Sequence, residues 1–127
     1  IRRVNTRRLH ANAVEAAEQC SRLSVPEVRE PQTFDSFLAA WPEDRQLFFL
    51  DETGTGAPIA QALKEKPRRS CGFLTGPEGG FAESELDALR QLPFSVPVGL
   101  GPRLLRAETA AIAALSCWQA LVGDWAR

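Results

Sequence analysis

The sequence predicts an α/β domain built around a parallel sheet, because short apolar runs alternate with segments of helical periodicity. Three runs have the length of buried strands: QLFFLDE (46–52), SCGFLT (70–75) and SVPVGL (95–100). Helical patterns separate them, IAQALKEK after the first run and ESELDALRQL (83–92) after the second. Because helices connect consecutive strands, we predict that the strands are parallel and that helices flank the sheet.

Further helices are predicted at both ends of the chain. Residues 4–23 carry apolar or small groups at helical spacing, with Arg and Glu on the other face. The pattern stops before Pro26, which disfavours helix for the residue that precedes it. A short helix is predicted from Thr33 to Trp41, and a last helix from about Ala107 to Val122.

The last predicted helix is apolar or small on every face. In AETAAIAALSCWQALV the polar residues are Glu108, Thr109, Ser116 and Gln119. A helix that is apolar all round must be buried. In so small a domain this favours a partner surface, most simply a homodimer, and a central helix within one chain is the alternative.

Composition bounds the kind of protein. The 127 residues are 44% hydrophobic and 24% charged, which is typical of one globular domain. We expect no membrane span, because no run approaches about 20 apolar residues. The three cysteines are widely spaced, so we expect reduced core residues in a cytoplasmic protein and no metal site. The net charge of −1 carries no electrostatic footprint for nucleic acid.

The stretch TGTGAP follows the first predicted strand. Gly54 and Gly56 suggest a dinucleotide fingerprint, but the third glycine position falls at Ile59. We therefore interpret this stretch as an ordinary turn.

The stretch GPEGGF follows the second predicted strand and is a stronger signal. Its glycines, Gly76, Gly79 and Gly80, permit positive φ and let a ligand approach the backbone. A tight connection without a ligand is the alternative. Three glutamates, Glu78, Glu83 and Glu85, crowd the helix start where a phosphate would otherwise bind. The turn therefore suits a neutral or cationic ligand.

The stretch VGLGPRLLRAETA (98–110) ends the third predicted strand in another glycine-containing turn. Two parallel strands thus end in glycine turns at one sheet edge, where open α/β sheets bind ligands. A binding crevice is our interpretation. The alternative is a helix start in which Arg106 and Glu108 form an ion pair.

These motifs, LTGPEGGF and LGPRLLRAETA together with the upstream EAAEQCSR and VPEV, closely resemble the RsmE family of 16S ribosomal RNA uridine-N3 methyltransferases in the SPOUT superfamily. The resemblance implies a parallel α/β domain with a C-terminal trefoil knot, S-adenosylmethionine (SAM) as cofactor and a homodimer. It also implies 16S rRNA of the small ribosomal subunit as the partner. Family members begin with an RNA-binding barrel and an opening strand and helix. Since the chain starts Ile-Arg-Arg and lacks methionine, we expect residues 1–127 to be a partial methyltransferase domain without those parts.

The resemblance also implies site residues. The cofactor pocket would comprise Leu50, Thr75, Gly76, Glu78, Gly79, Gly80, Leu100, Gly101, Arg103, Leu104, Leu105 and Arg106. Arg106 would stabilise negative charge on the uracil oxygens, and Glu108 would orient Arg106 or assist proton removal. Gln19 and Arg22 would line the site or contact RNA, and the alternative is a surface ion pair between Glu18 and Arg22.

Two other functions stay open on the sequence. One is a non-catalytic knotted module for dimerisation or RNA binding. The other is a Rossmann-type nucleotide domain, which the missing third glycine disfavours.

Overall fold

The structure, a computed structural model, describes residues 3–65 and 70–127. It consists of two compact units, one of residues 1–41 and one of residues 42–127. In the described part of the chain, no helix has both the length and the apolar character needed to cross a membrane.

The first unit contains two helices, α1 (Thr6–Gln19) and α2 (Phe34–Ala40). The side chain of Asn5 accepts a hydrogen bond from the Arg8 amide at 3.0 Å and caps the start of α1. The predicted helix over residues 4–23 is longer than the observed one. Ser21 has a φ of 58°, a left-handed conformation that ends the helical pattern.

The second unit is built on a four-stranded sheet in the order β2-β4-β1-β3, with all paired strands parallel. The strands are β1 (Gln46–Leu50), β2 (Ala57–Pro58), β3 (Cys71–Leu74) and β4 (Ser95–Gly99). The parallel sheet is confirmed. The two-residue strand β2 was not predicted, because it is too short to give a pattern of its own.

Strand β1 is the centre of the sheet, and all five of its residues are buried. This confirms the prediction of a strand that is buried on both faces. Strand β3 was predicted to be equally buried, and that was wrong: its residues are half-buried because β3 is an edge strand with one neighbour.

Three helices flank the sheet: α3 (Ile59–Glu65), α4 (Glu83–Arg90) and α5 (Ala107–Leu121). Helices α3 and α5 contribute to one core cluster that includes Phe48, Leu50 and Val98. Residues alternate between the two faces of a strand. Leu47 and Phe49 therefore point to the opposite face, which Leu86 and Leu89 of α4 help to bury.

Helix α5 is not buried on every side within the chain. Ile112 and Leu115 are 67% and 54% exposed, whereas Ala110 and Ala114 are buried in the core. The alternative of a central helix inside one chain is therefore wrong for this face of α5. The uniformly apolar sequence reflects one face in the core and another at the surface.

The sequence led us to expect all three cysteines in the core, and that was wrong. Cys20 is exposed, and Cys71 and Cys117 are half-buried and free. Burial raises the pKa of the Cys71 thiol, which keeps it protonated at neutral pH.

The connection from β1 to β2 crosses the end of β4. Val98 pairs with Leu50 on one side and with Ala57 on the other. Residues 51–56, which we call the bridging loop, must therefore pass over β4 at its carboxyl end. This loop is the part of the fold that bounds the candidate site.

Candidate functional site

Two crevices open at the carboxyl ends of the parallel strands. The larger crevice has a volume of about 360 Å³. Its walls are the bridging loop on one side and the turn after β4 on the other. Its lining residues are Leu50, Asp51, Glu52, Gly54, Gly56, Pro58, Val98, Gly99, Leu100, Gly101, Pro102, Arg103, Leu104 and Leu105.

The smaller crevice has a volume of about 240 Å³ and lies between the bridging loop and the turn after β3. Its lining residues are Leu50, Asp51, Glu52, Thr53, Gly76, Gly79, Gly80, Phe81, Leu86 and Leu104. The turn over residues 76–80 is called the first glycine turn below, and residues 99–106 the second.

The two crevices share four lining residues: Leu50, Asp51, Glu52 and Leu104. Leu50 ends β1, and Leu104 belongs to the second glycine turn. The structure therefore brings both glycine turns to one edge of the sheet. This is the arrangement expected when neighbouring parallel strands end side by side.

Most of the sequence-predicted cofactor residues line these crevices, and three do not. Thr75, Glu78 and Arg106 line neither crevice. Glu78 and Arg106 are exposed, and Thr75 is half-buried at the end of β3.

Gly80 is the residue of the first glycine turn that needs glycine for its backbone. Its φ is +78°, which residues with a side chain rarely adopt. A Cβ atom there would stand 3.4 Å from Oε2 of Glu52. Gly76 and Gly79 do not adopt positive φ.

The stretch TGTGAP turns the chain, as expected, and it also lets two backbone segments approach closely. A Cβ atom at Gly56 would lie 2.8 Å from the Val98 nitrogen, and glycine is what lets the two backbones approach. Gly54 and Gly56 both line the larger crevice. The failed fingerprint excluded a dinucleotide motif, but it said nothing about a different ligand.

Asp51 and Glu52 are crevice residues that the sequence analysis missed. Both directly follow the buried strand β1, and that position was the available signal. They bring two carboxylates to a crevice whose other charged lining residue is Arg103. The remaining lining consists of leucine, proline, valine and phenylalanine side chains, one threonine and glycine backbone, so the site suits a flat apolar group attached to a cationic one.

The side chain of Asp51 is fully buried and held by hydrogen bonds. Its Oδ1 accepts from the Thr53 amide at 2.9 Å, and its Oδ2 accepts from the Thr55 hydroxyl at 2.7 Å. Burial alone would raise the pKa of Asp51, but the hydrogen bonds from Thr53, Thr55 and Arg90 outweigh it and lower the pKa.

Arg106 and Glu108 stand at the start of α5. Arg106 is the N-cap residue, its side chain makes no capping hydrogen bond, and its carbonyl accepts from the Ala110 amide at 2.8 Å. Both side chains are exposed, and no ion pair joins them in the described structure. The alternative of an ion-paired helix start is therefore wrong.

Gln19 and Arg22 belong to the unit of residues 1–41 and are both exposed. Gln19 is the last residue of α1, and Arg22 lies beyond the helix end. The alternative, an ion pair between Glu18 and Arg22, is absent from the described structure, because Arg22 lies beyond the end of the helix.

Within residues 3–65 and 70–127, no group of three or more His, Cys, Asp or Glu side chains could hold a metal ion.

A parallel sheet with crevices at the carboxyl ends of its strands is the arrangement with which open α/β proteins bind ligands. A family model described as an RNA methyltransferase domain matches residues 2–119. The chain belongs to this family. The membership drawn from the glycine motifs and the SPOUT-type α/β fold class are thereby confirmed.

The chain is similar to proteins named ribosomal RNA small subunit methyltransferase E. The Buchnera aphidicola (Schizaphis graminum) protein is 33% identical over 113 residues, covering 87% of this chain and 44% of that protein. The Bacillus subtilis protein is 36% identical over 109 residues, covering 82% and 42%. The chain thus spans less than half the length of these relatives.

A solved structure of a protein with the same name is also similar to this chain. The Neisseria gonorrhoeae ribosomal RNA small subunit methyltransferase E, bound to S-adenosyl methionine, superposes with a TM-score of 0.85 at 28% identity. The match covers 94% of this chain and 49% of the other.

Proposed function

We propose that this chain is the cofactor-binding part of an enzyme that uses SAM to methylate uridine at N3 in 16S rRNA of the small ribosomal subunit. The observation that carries the proposal is the meeting of both glycine turns around Leu50 and Leu104. Residues 1–127 would form a partial methyltransferase domain, acting in the cytoplasm. The named relatives support the reaction class.

The lining of the crevices fits SAM. Leu50, Leu100 and Leu105 offer apolar walls to an adenine ring, and open backbone offers hydrogen-bond partners for its edge. Glu52 is exposed and supplies negative charge, which a sulfonium cation favours and a phosphate does not, whereas the charge of Asp51 is paired with Arg90. The larger volume, about 360 Å³, lies within the range of ligand pockets.

SAM supplies a methyl group activated by its positively charged sulfur. The chain's own residues have to position the base and manage its N3 proton. We assign Arg106 to stabilise the negative charge that develops on the uracil oxygens. Its exposed, uncapped position at the start of α5 leaves the guanidinium available to a base.

Glu108 has one role left of the two expected for it. Because it makes no ion pair with Arg106, we do not assign it to orient that side chain. We propose that it assists removal of the N3 proton. Glu108→Gln would then slow methylation at neutral pH, and the loss should shrink at high pH, where hydroxide removes the N3 proton without Glu108. A loss of equal size at every pH would contradict this role.

Gln19 and Arg22 are proposed RNA-contacting residues. Both are exposed, and neither has an ion-pair partner in the described structure. Arg22→Gln in the whole protein should weaken rRNA binding and reduce its salt dependence. An unchanged salt slope would argue against a phosphate contact.

We also propose that the enzyme is a homodimer that buries α5. Ile112 and Leu115 form an exposed apolar pair one turn apart on this helix. An interface there would remove them from water and would lie close to Arg106.

We propose that the chain forms a trefoil knot, and the order of the strands in the sheet supports this. The chain leaving β4 begins beneath the bridging loop, because β4 lies between β1 and β2. The chain after β4 would complete the knot by passing a second time around the bridging loop. An experimental structure in which the residues after Gly99 run outside the loop would contradict it.

Calorimetric titration of this chain with SAM tests the proposed function. We expect a micromolar dissociation constant and weaker binding of ATP, whose phosphates would face Asp51 and Glu52. No heat at millimolar SAM would favour the alternative, a non-catalytic module for dimerisation or RNA binding.

A further inference from the structure

We propose that Asp51 is a positioning residue that holds the bridging loop over both crevices, with Arg90 of α4 as its partner. The inference rests on the proposed function, because it concerns the same cofactor site. It adds residues that neither the motifs nor the names of the relatives identify.

The contacts of Asp51 determine the path of the loop. Within five residues its carboxylate meets the Thr53 amide, the Thr53 hydroxyl and the Thr55 hydroxyl. The two threonine hydroxyls lie 3.1 Å apart, so they form one polar cluster on the buried carboxylate. A loop that is tied at two positions has lost most of the freedom of an exposed glycine-rich turn.

The backbone of Asp51 anchors the loop to the sheet as well. Its amide donates to the Val98 carbonyl at 3.0 Å. Val98 is the residue over which the loop passes, since it pairs with Leu50 and Ala57 on its two sides. The same residue therefore fixes where the loop leaves the sheet and how it turns.

Arg90 supplies the positive charge that the buried carboxylate needs. One guanidinium nitrogen lies 3.3 Å from Oδ2 of Asp51, and the guanidinium also lies within 4 Å of Glu83 and Asp87. Those two carboxylates are mostly exposed, whereas that of Asp51 has no exposed surface. The pair with Asp51 is therefore the one that water screens least.

The ion pair between Asp51 and Arg90 links the bridging loop to helix α4. Arg90 ends α4, and α4 begins at Glu83, just after the first glycine turn. Asp51 itself lines both crevices. The bridging loop and the helix that follows the first glycine turn are thus held by one buried carboxylate.

The test uses Asp51→Asn, Thr55→Val and Arg90→Met, with Ile59→Val as a control that weakens the core without touching the loop. Hydrogen exchange reports the loop through the Thr53 amide, and calorimetry reports SAM binding. We expect Asp51→Asn to raise exchange at Thr53 at least 10-fold and to weaken SAM binding about 10-fold. Thr55→Val and Arg90→Met should give smaller changes in the same direction, and Ile59→Val should give neither.

The outcomes separate the inference from the proposed function. If wild-type protein does not bind SAM, the proposed function and the inference both fail. If wild type binds SAM and all three loop variants bind it equally well with unchanged Thr53 exchange, the inference alone is overturned. Should Asp51→Asn fail to fold, Thr55→Val and Arg90→Met decide, because Thr55 is at the surface and Arg90 is partly exposed.

Discussion

Gly56 lies so close to Val98 that a Cβ atom added to it would stand 2.8 Å from the Val98 backbone nitrogen. The contact is between backbones, so no side chain can rotate away to relieve it. It occurs where the bridging loop enters β2, which pairs with β4. Both residues line the larger crevice.

Gly56→Ala should therefore destabilise the fold. The added methyl group would force the strands apart, with an expected loss of about 1–3 kcal/mol in the free energy of unfolding. Urea unfolding measures this loss. Gly79→Ala is the matched control, because a Cβ atom there meets nothing within 4 Å. Equal stability of the two variants would show that the sheet yields at Gly56 without cost.

The stability of the fold should depend on pH through Asp51. The pKa of this carboxyl is lowered in the folded protein, so the ionised form contributes stability above the unfolded pKa. That contribution is lost as pH falls through the folded pKa. Asp51→Asn should cost about 1–3 kcal/mol at pH 7. The difference in urea unfolding between wild type and variant should shrink below about pH 4, and a difference that is constant with pH would refute the assignment.

Glu52 should help to distinguish the charged cofactor from its neutral product. Glu52→Gln removes one negative charge from both crevices, which is worth roughly 1 kcal/mol toward a nearby cation and about a fivefold loss of SAM affinity. Binding of S-adenosylhomocysteine, whose sulfur is uncharged, should change less. The control is Glu78→Gln, since Glu78 lines neither crevice. Equal losses of affinity for SAM and S-adenosylhomocysteine would show that Glu52 does not act on the charge of the sulfur.

Arg106 should act on the base more than on the cofactor. In the whole protein, Arg106→Ala should reduce methylation of small-subunit rRNA at least about 100-fold, the scale of losing a donor to a developing oxyanion. SAM affinity, measured by calorimetry, should change little because Arg106 lines neither crevice. Arg103→Ala is the comparison, since Arg103 lines the larger crevice. Normal turnover in Arg106→Ala would rule out its proposed role.

The exposed face of α5 should determine the oligomeric state. Ile112→Glu places a charge in the centre of the proposed interface and should shift a dimer to a monomer in sedimentation velocity. Leu23→Glu changes an equally apolar but fully exposed residue in the first unit and should leave the dimer intact. A wild-type monomer at micromolar concentration would contradict the proposal directly.

The sequence was sufficient for the longer helices and strands of the fold and insufficient for β2 and for the order of the strands. The run QLFFL predicts a doubly buried strand because it is short, largely apolar and bounded by polar residues. The position of β4 between β1 and β2 left no local signal, since it depends on contacts between residues far apart in the chain. Strand β2 was missed for the same reason, because Ala57 and Pro58 form a strand only through β4.

Part of the candidate site could likewise be predicted from the sequence, and part could not. The two glycine turns could be placed at one edge, because strands that run parallel end together. Asp51 and Glu52 could not be selected from the sequence, since acidic residues after a strand are common. Only the burial of Asp51 and its distance to Arg90, 39 residues later, distinguish it from a surface carboxylate.

The central strand β1 takes both of its neighbours from later parts of the chain, β3 on one side and β4 on the other. During synthesis, Phe48 and Phe49 therefore leave the ribosome well before any strand exists to cover them. The unpaired strand is an aggregation-prone segment until its neighbours arrive, and β4 is the later of the two. We therefore expect the sheet to be completed late, only after the residues of β4 have been synthesised.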